Sequence, residues 1–495
     1  MDSEALNATD EGFNEIGTEY ERETGIKLND LTTEQKFDII QQLFSELPTS
    51  KLSQLYEKLG SLLHKDFLEV LPVEICFHVF RLLGGRDLVN CARVSRSWKQ
   101  YVDDPTLWKW LFERNGWTLN RSVVSEFEEW IRIRFSLNSS NSKSNLDETL
   151  YSTYMGPRGT HFAPCHCYVR ADGSICLNWK YLYQQRLLLQ RNWTNGNYVL
   201  TRIVCSNRLH MDSVYCVQFD DHFLFTGSRD KTIRVWELQA RRLLYVLAGH
   251  TGSVLCLQFD KKRNLLVSGS SDTTIIVWDL ATLKPLQTFR GHTDNVLGLV
   301  FQDDYIISCS KDHTIRVWQY GAADENACLY VLRGHLAAVN SVQFNSKTHM
   351  IVSASGDHTI RIWNVKTGQC LGVLHGHRRG IACVHYDGKN IISGSSDLTV
   401  RIFDGKTGLL LRSLEGHSEL VRTLQCDIEK VVTGSYDGTI KIWDRNSGSL
   451  LCDLGNKHGS RIFNLQFDHK RLISCSQDSQ ILIWDFDLGV DGTFF

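Results

Sequence analysis

The sequence predicts a multidomain chain, an all-α N-terminal part followed by an all-β propeller of seven blades. Two observations predict the propeller. Trp236, Trp278, Trp318, Trp363, Phe403, Trp443 and Trp484 recur at spacings of 40 to 45 residues. Each is preceded by an aspartate (Asp230, Asp272, Asp312, Asp357, Asp397, Asp437, Asp478) and, further upstream, by a histidine (His210, His250, His292, His335, His377, His417, His458). The runs between them, such as SVYCVQF, LLVSGSSD and TIRVWEL, alternate with period two, the pattern of half-buried strands between turns. Repeats of this length stack supersecondary units into one continuous core. A third observation predicts the helical part: before residue 198 the apolar residues keep helical spacing instead.

Residues 1–30 are acidic and read as disordered. Over 31–68, Thr32 to Gln35 form a capping-box pattern, Phe37, Ile40 and Phe44 follow at helical spacing, and Leu52, Leu55, Leu59 and Leu62 share one face. Two such helices make too small a core alone, so a second copy of the chain is expected to cover them. Residues 69–113 read as a compact helical module with a proline-led helix start at Pro72 and a break at Gly84 and Gly85. Its apolar residues exceed what so short a module buries, which marks a partner surface. Residues 114–197 form a helical linker with a polar, low-complexity insertion, SLNSSNSKSN, and a final helix WKYLYQQRLLLQRNW. The propeller occupies 198–487, and NYVLTRIVC is placed to supply the last blade's outer strand. Residues 488–495 read as a tail.

Composition excludes several classes. The formal net charge is −2, so anion affinity must come from a local cluster. The acidic start lacks the pattern of a secretory signal, and no apolar run reaches membrane-spanning length. Fifteen cysteines without such a signal fit a reducing compartment, hence a cytoplasmic and nuclear protein. Cys216, Cys256 and Cys383 share one apolar repeat position, where cysteine acts as a small hydrophobe. No metal or cofactor is expected: His161, Cys165, His166, Cys167 and Cys176 match no usual zinc spacing and read as surface-loop residues. The seven histidines read as structural. Each can share a hydrogen-bond network with a strand Ser or Thr, the aspartate and the indole, and Phe403 removes that donor from the fifth blade. No nucleophile and base stand apart from this repeated network, so no catalysis is expected.

Aligned repeats bring together five basic residues from different blades, Arg229, Lys311, Arg379, Arg422 and Arg461, interleaved with Tyr215, Ser253, Ser271 and Ser396. Clustered cations repel, and an anion relieves them. Arginine forks and hydroxyls suit phosphate oxygens. Nucleic acid is a poorer fit, because the chain lacks a long basic stripe with stacking aromatics.

The histidine, aspartate and tryptophan landmarks resemble WD repeats. Leu71, Pro72, Glu74, Ile75, Val79, Leu83, Asp87, Leu88, Val94, Trp98, Leu107 and Trp108 resemble an F-box. Together with GHTGSVLCLQFD, VSASGDHTIRIWN and GHRRGIAC, this order resembles the beta-transducin-repeat-containing proteins, substrate receptors of SCF ubiquitin ligases. The resemblance implies a non-catalytic receptor whose propeller holds a peptide of the form Asp-pSer-Gly-x-x-pSer. It implies Tyr215, Arg229, Ser253 and Ser271 around the first phosphate, and Arg379, Gly380 and Ser396 around the second. Lys311, Arg422 and Tyr436 would receive the aspartate, with Leu255, Asn340, Gly356, Ala382 and Arg461 completing the groove. It also implies that Leu71, Pro72, Ile75, Val79, Leu83, Leu88, Trp98, Leu107 and Trp108 bind a Skp adaptor, and through it a cullin and RING protein. The N-terminal helices would be a homodimerisation segment. Other targets, such as sulfur-control or cell-cycle regulators, and a WD scaffold without ligase function remain alternatives.

Overall fold

The computed structural model describes residues 71–136, 154–155, 161–170, 174–203, 210, 212–322 and 327–495, with isolated positions upstream of 71. The expected dimerisation helices and the polar insertion lie outside the described residues. The chain divides into two compact units, one ending at Leu111 and the other beginning at Phe112.

In the first unit, helices α1 (Val73–Leu82), α2 (Gly85–Cys91), α3 (Arg96–Val102) and the start of α4 (Pro105–Arg114) enclose a small core. Cys76, Phe80, Leu88, Val102, Leu107, Trp108 and Leu111 are buried there, and the Trp108 indole donates to the Val102 carbonyl at 2.6 Å. Ser95 caps α3 by accepting the Trp98 N–H.

In the second unit, seven four-stranded antiparallel sheets follow one another around a ring. Six are built from consecutive strands. The seventh takes its outer strand from Val199–Arg202, which pairs antiparallel with Ile481–Asp485. The ring is thus closed by the strand predicted for that purpose. Helices α5 (Arg121–Ser136) and α6 (Trp179–Asn195) precede it. Trp193 of α6 stacks on Phe486 at 3.8 Å and donates to the His469 carbonyl.

Within each blade the buried polar residues satisfy one another. In blades one to six the histidine Nδ1 lies 2.7 to 2.9 Å from the aspartate carboxylate, and so carries the proton. Nε2 then accepts from the strand hydroxyl, and in six blades an indole N–H donates to that hydroxyl at 2.8 to 2.9 Å. In the fifth blade Phe403 supplies no donor, and Ser393 keeps only His377. The seventh blade departs further. Its histidine–aspartate separation is 3.5 Å, Gln480 stands where the other six blades have threonine, and His458 Nδ1 and Asp478 Oδ2 are buried without a hydrogen bond. Backbone N–H groups of Phe467, Phe219 and Phe259 donate to Gln425, Gln466 and Gln218 of the preceding blade at 2.6 to 2.7 Å. These bonds join blades six, seven, one and two across the closure.

The cysteines at the repeat position are core residues. Burial pushes the Cys256 and Cys383 thiols up to about 12, leaving them inert apolar filler.

Two predictions follow from the blade network. Ser353→Ala strands both His335 and Trp363, whereas Ser393→Ala strands only His377. At about 1–3 kcal/mol per unsatisfied buried group, denaturant unfolding should show the larger loss for Ser353→Ala; equal losses would contradict the network. The second concerns pH. Burial holds His210, His335 and His377 below the ordinary histidine pKa, against the pull of their aspartates. The unfolded histidines therefore take up protons at higher pH, so their contribution is complete above about pH 6.5 and falls as pH drops. Burial raises the aspartate pKa values, but hydrogen bonds from histidine, threonine and backbone donors outweigh it and hold them well below the carboxylate range. The loss thus continues below about pH 4. The melting temperature of the propeller should be flat above pH 7 and decline steadily towards pH 4.

Candidate functional site at the mouth of the ring

Three concentric addresses build one end of the ring, the top face. The outermost is the residue before each aspartate. Its N–H donates to the carbonyl three residues after the blade's histidine: Arg229 to Ser213, Ser271 to Ser253, Lys311 to Asn295, Gly356 to Ala338, Ser396 to Gly380, Tyr436 to Leu420 and Gln477 to Arg461, at 2.9 to 3.0 Å. This bond repeats in all seven blades and ties the two sequence addresses into one rim.

The innermost address is a β-bulge. The register of each first strand against its second shifts by one residue, between Val214 and Cys216, Val254 and Cys256, and so on around the ring. A bulge leaves one residue out of the ladder and re-aims its side chain. The seven bulged residues are Tyr215, Leu255, Leu297, Asn340, Ala382, Arg422 and Phe463, and all line an axial cavity of 290 Å³. Asn340 donates to the Ile381 carbonyl at 2.7 Å, and Arg422 to the Ala382 carbonyl at 3.3 Å.

The middle address lies one and two residues after each histidine. Arg378 occupies the first position of blade five, where its backbone N–H donates to Asp397 at 2.9 Å. Arg379, next along, is exposed. The expected contact residues thus occupy the rim, the bulge ring and the loops between them. Arg229, Lys311, Arg379 and Arg461 are exposed, and Arg422 is half-buried. The Arg461 guanidinium lies over the Tyr436 ring at 5.2 Å. Ala382 is buried and lines the cavity. Leu297 and Phe463 escaped the sequence reading, although their repeat address matches that of Tyr215 and Arg422. Phe463 packs against Tyr215 at 5.0 Å and Tyr436 at 5.9 Å. Its apolar character concealed it from a search made by charge.

The helical module requires a correction. Leu71, Pro72, Ile75 and Val79 are exposed, and Leu83 and Trp98 are half-buried. Leu88, Leu107 and Trp108 are at most 1% exposed, so they are core residues and cannot serve as contact residues. Val73, Leu82 and Val94, exposed by 48%, 73% and 64%, extend the apolar surface instead.

A second correction concerns the linker. His166 is buried, not a surface-loop residue. Its Nδ1 accepts the Ala163 N–H at 3.0 Å, so Nε2 carries the proton and donates to Asp491 at 2.5 Å. The Tyr181 hydroxyl donates to the same carboxylate at 3.1 Å. Cys165, His166 and Asp491 lie close enough together to hold a metal ion. That tautomer opposes it, because a metal on Nε2 would need the proton on Nδ1, which already faces an N–H. The carboxylate partner comes from residues 488–495, whose Phe494 is buried against Phe127 and Phe162. Sequence spacing alone could not bring that partner to the linker.

Comparison with known families agrees with this architecture. The model "WD domain, G-beta repeat" matches 203–237, 241–279, 283–319, 326–364, 368–404, 408–444 and 451–485, more than half of the chain. The chain belongs to the WD-repeat family. A second model, "F-box-like", matches residues 68–114. Among curated relatives it is 36% identical over 239 residues to "F-box and WD repeat domain-containing 11-A" of Danio rerio, covering 47% of this chain and 38% of the relative. It is 26% identical over 220 residues to "Probable E3 ubiquitin ligase complex SCF subunit sconB" of Arthroderma otae, covering 42% and 28%. The match thus spans well under half the length of these relatives. Among solved structures, the WD40 β-propeller domain of Doa1 superposes with a TM-score of 0.52 at 27% identity, covering 58% of this chain and 97% of that one.

Proposed function

We propose that this F-box/WD-repeat chain is the substrate-recognition subunit of an SCF ubiquitin ligase. In this reading its top face binds a doubly phosphorylated peptide of the Asp-pSer-Gly-x-x-pSer type. The observation that carries the reading is the gathering of Arg229, Lys311, Arg379, Arg422 and Arg461 around one opening, on a chain that also presents an apolar F-box-like surface. Arginine forks match phosphate oxygens bidentately, and the serines of the rim supply neutral donors between them. The relative named as an SCF subunit supports the ligase setting. The chain itself breaks no bond. It holds a target beside the conjugating machinery, and the gain is one of effective concentration. A cytoplasmic and nuclear location accords with this role.

Two outcomes test the proposal. The doubly phosphorylated peptide should bind well above its unphosphorylated form by calorimetry, and Arg379→Ala should lower that affinity by about 1.5–3 kcal/mol with no change in melting temperature. Equal binding of both peptides would refute it. For the helical module, Ile75→Asp with Val79→Asp should abolish capture of a Skp adaptor in a pull-down while phosphopeptide binding persists. Unchanged capture would leave a WD scaffold without ligase function.

A further inference from the structure

The cations of the top face are not equivalent, because some carry a counter-ion from their own blade and others do not. The Asp212 carboxylate is fixed at one oxygen, which accepts the Ser213 N–H at 2.8 Å. Its other oxygen lies 3.7 Å from Nε of Arg229. Blade three repeats the arrangement, with Asp294 held by the Asn295 N–H at 2.7 Å and lying 3.6 Å from Lys311 Nζ. Both aspartates stand two residues after their blade's histidine. At that same address blade five carries Arg379 itself. Among the described residues no carboxylate lies within ion-pair distance of Arg379.

A carboxylate beside an arginine lowers the positive potential that an arriving anion meets. The cost to that anion scales with its charge, so a phosphate dianion feels it about twice as strongly as a carboxylate would. Because Asp212 is tethered through its backbone-bonded oxygen, it cannot swing aside without losing that bond. It approaches the Nε edge of Arg229, which leaves the terminal nitrogens free, so the subsite is weakened rather than closed. Nothing comparable opposes a phosphate at Arg379.

We propose that Asp212 is a specificity-determining residue that makes phosphate recognition one-sided, so that the phosphate at Arg379 dominates affinity and the phosphate at Arg229 contributes weakly. This rests on the phosphopeptide reading above. It adds that the chain favours ligands singly phosphorylated on the Arg379 side over those singly phosphorylated on the Arg229 side.

The experiment uses the full chain and four Asp-Ser-Gly-x-x-Ser peptides: unphosphorylated, phosphorylated at either serine, and phosphorylated at both. Arg229→Ala and Arg379→Ala identify which phosphate each cation reads. The wild type should bind the Arg379-side monophosphopeptide about tenfold more tightly than the other. Asp212→Asn keeps an acceptor for the Ser213 N–H and removes the charge. It should strengthen the peptide read by Arg229 several-fold and leave the other within twofold. The gain should shrink as salt rises from about 0.05 to 0.5 M, as expected for exposed charges. If the two monophosphopeptides bind equally, or Asp212→Asn acts on both alike, the inference falls and the phosphopeptide reading stands. If the wild type does not prefer phosphorylated peptide at all, the phosphopeptide reading falls and takes the inference with it.

Discussion

The aspartate that follows each blade's second strand is the constraint on which the propeller depends. In blades one to six it accepts from the histidine Nδ1, while a backbone N–H two residues on and a threonine hydroxyl bond its other oxygen. The turn so formed puts the next residue at positive φ, from 60° to 78° around the ring, in residues as unlike as Lys231, Leu398 and Gly438. For a non-glycine this backbone costs roughly 1–2 kcal/mol, and the hydrogen bonds offset it. Rigidity at this turn has a second effect. It holds the residue before the aspartate at the rim, in register with the loop that follows the histidine. A polar network that stabilises the inside of each blade therefore also sets the position of whatever the top face presents.

That division of labour explains how one scaffold carries a site without a dedicated active-site loop. Each blade offers three variable side chains, one at the rim, one in the histidine loop and one at the bulge. Blade five spends them on Arg379, Ser396 and Ala382, and blade four on Ala337, Gly356 and Asn340. Small residues there leave room: a Cβ on Gly380 would approach the Gly356 backbone to 3.2 Å. The charged and the open sectors of the mouth thus arise from the same geometry with different occupants.

The sevenfold recurrence made the ring, its closure by the segment just before the first repeat and the structural role of the histidines legible in the sequence, because each rests on local hydrogen bonds and on period-two strands. The cations of the mouth were legible for the same reason, since repeat alignment turns sequence position into spatial position. Leu297 and Phe463 were passed over because they carry no charge. In the F-box-like module, matching landmarks could not separate Leu88, Leu107 and Trp108, which fill its core, from Ile75 and Val79, which face outward; a pattern records which positions are apolar, not which way they point. His166 was misread because its partner, Asp491, lies 325 residues away. No period connects them.

The closure also has a consequence for biosynthesis. The strand Val199–Arg202 leaves the ribosome long before its partner Ile481–Asp485 exists. At about 5–20 residues per second, it waits on the order of tens of seconds with its hydrogen-bonding edge unmet. Blade seven, meanwhile, is the one whose histidine–aspartate lock is loosest. The last blade to be translated is therefore also the one least able to hold itself together alone. A stall before residue 481 would leave six blades made and the ring unshut.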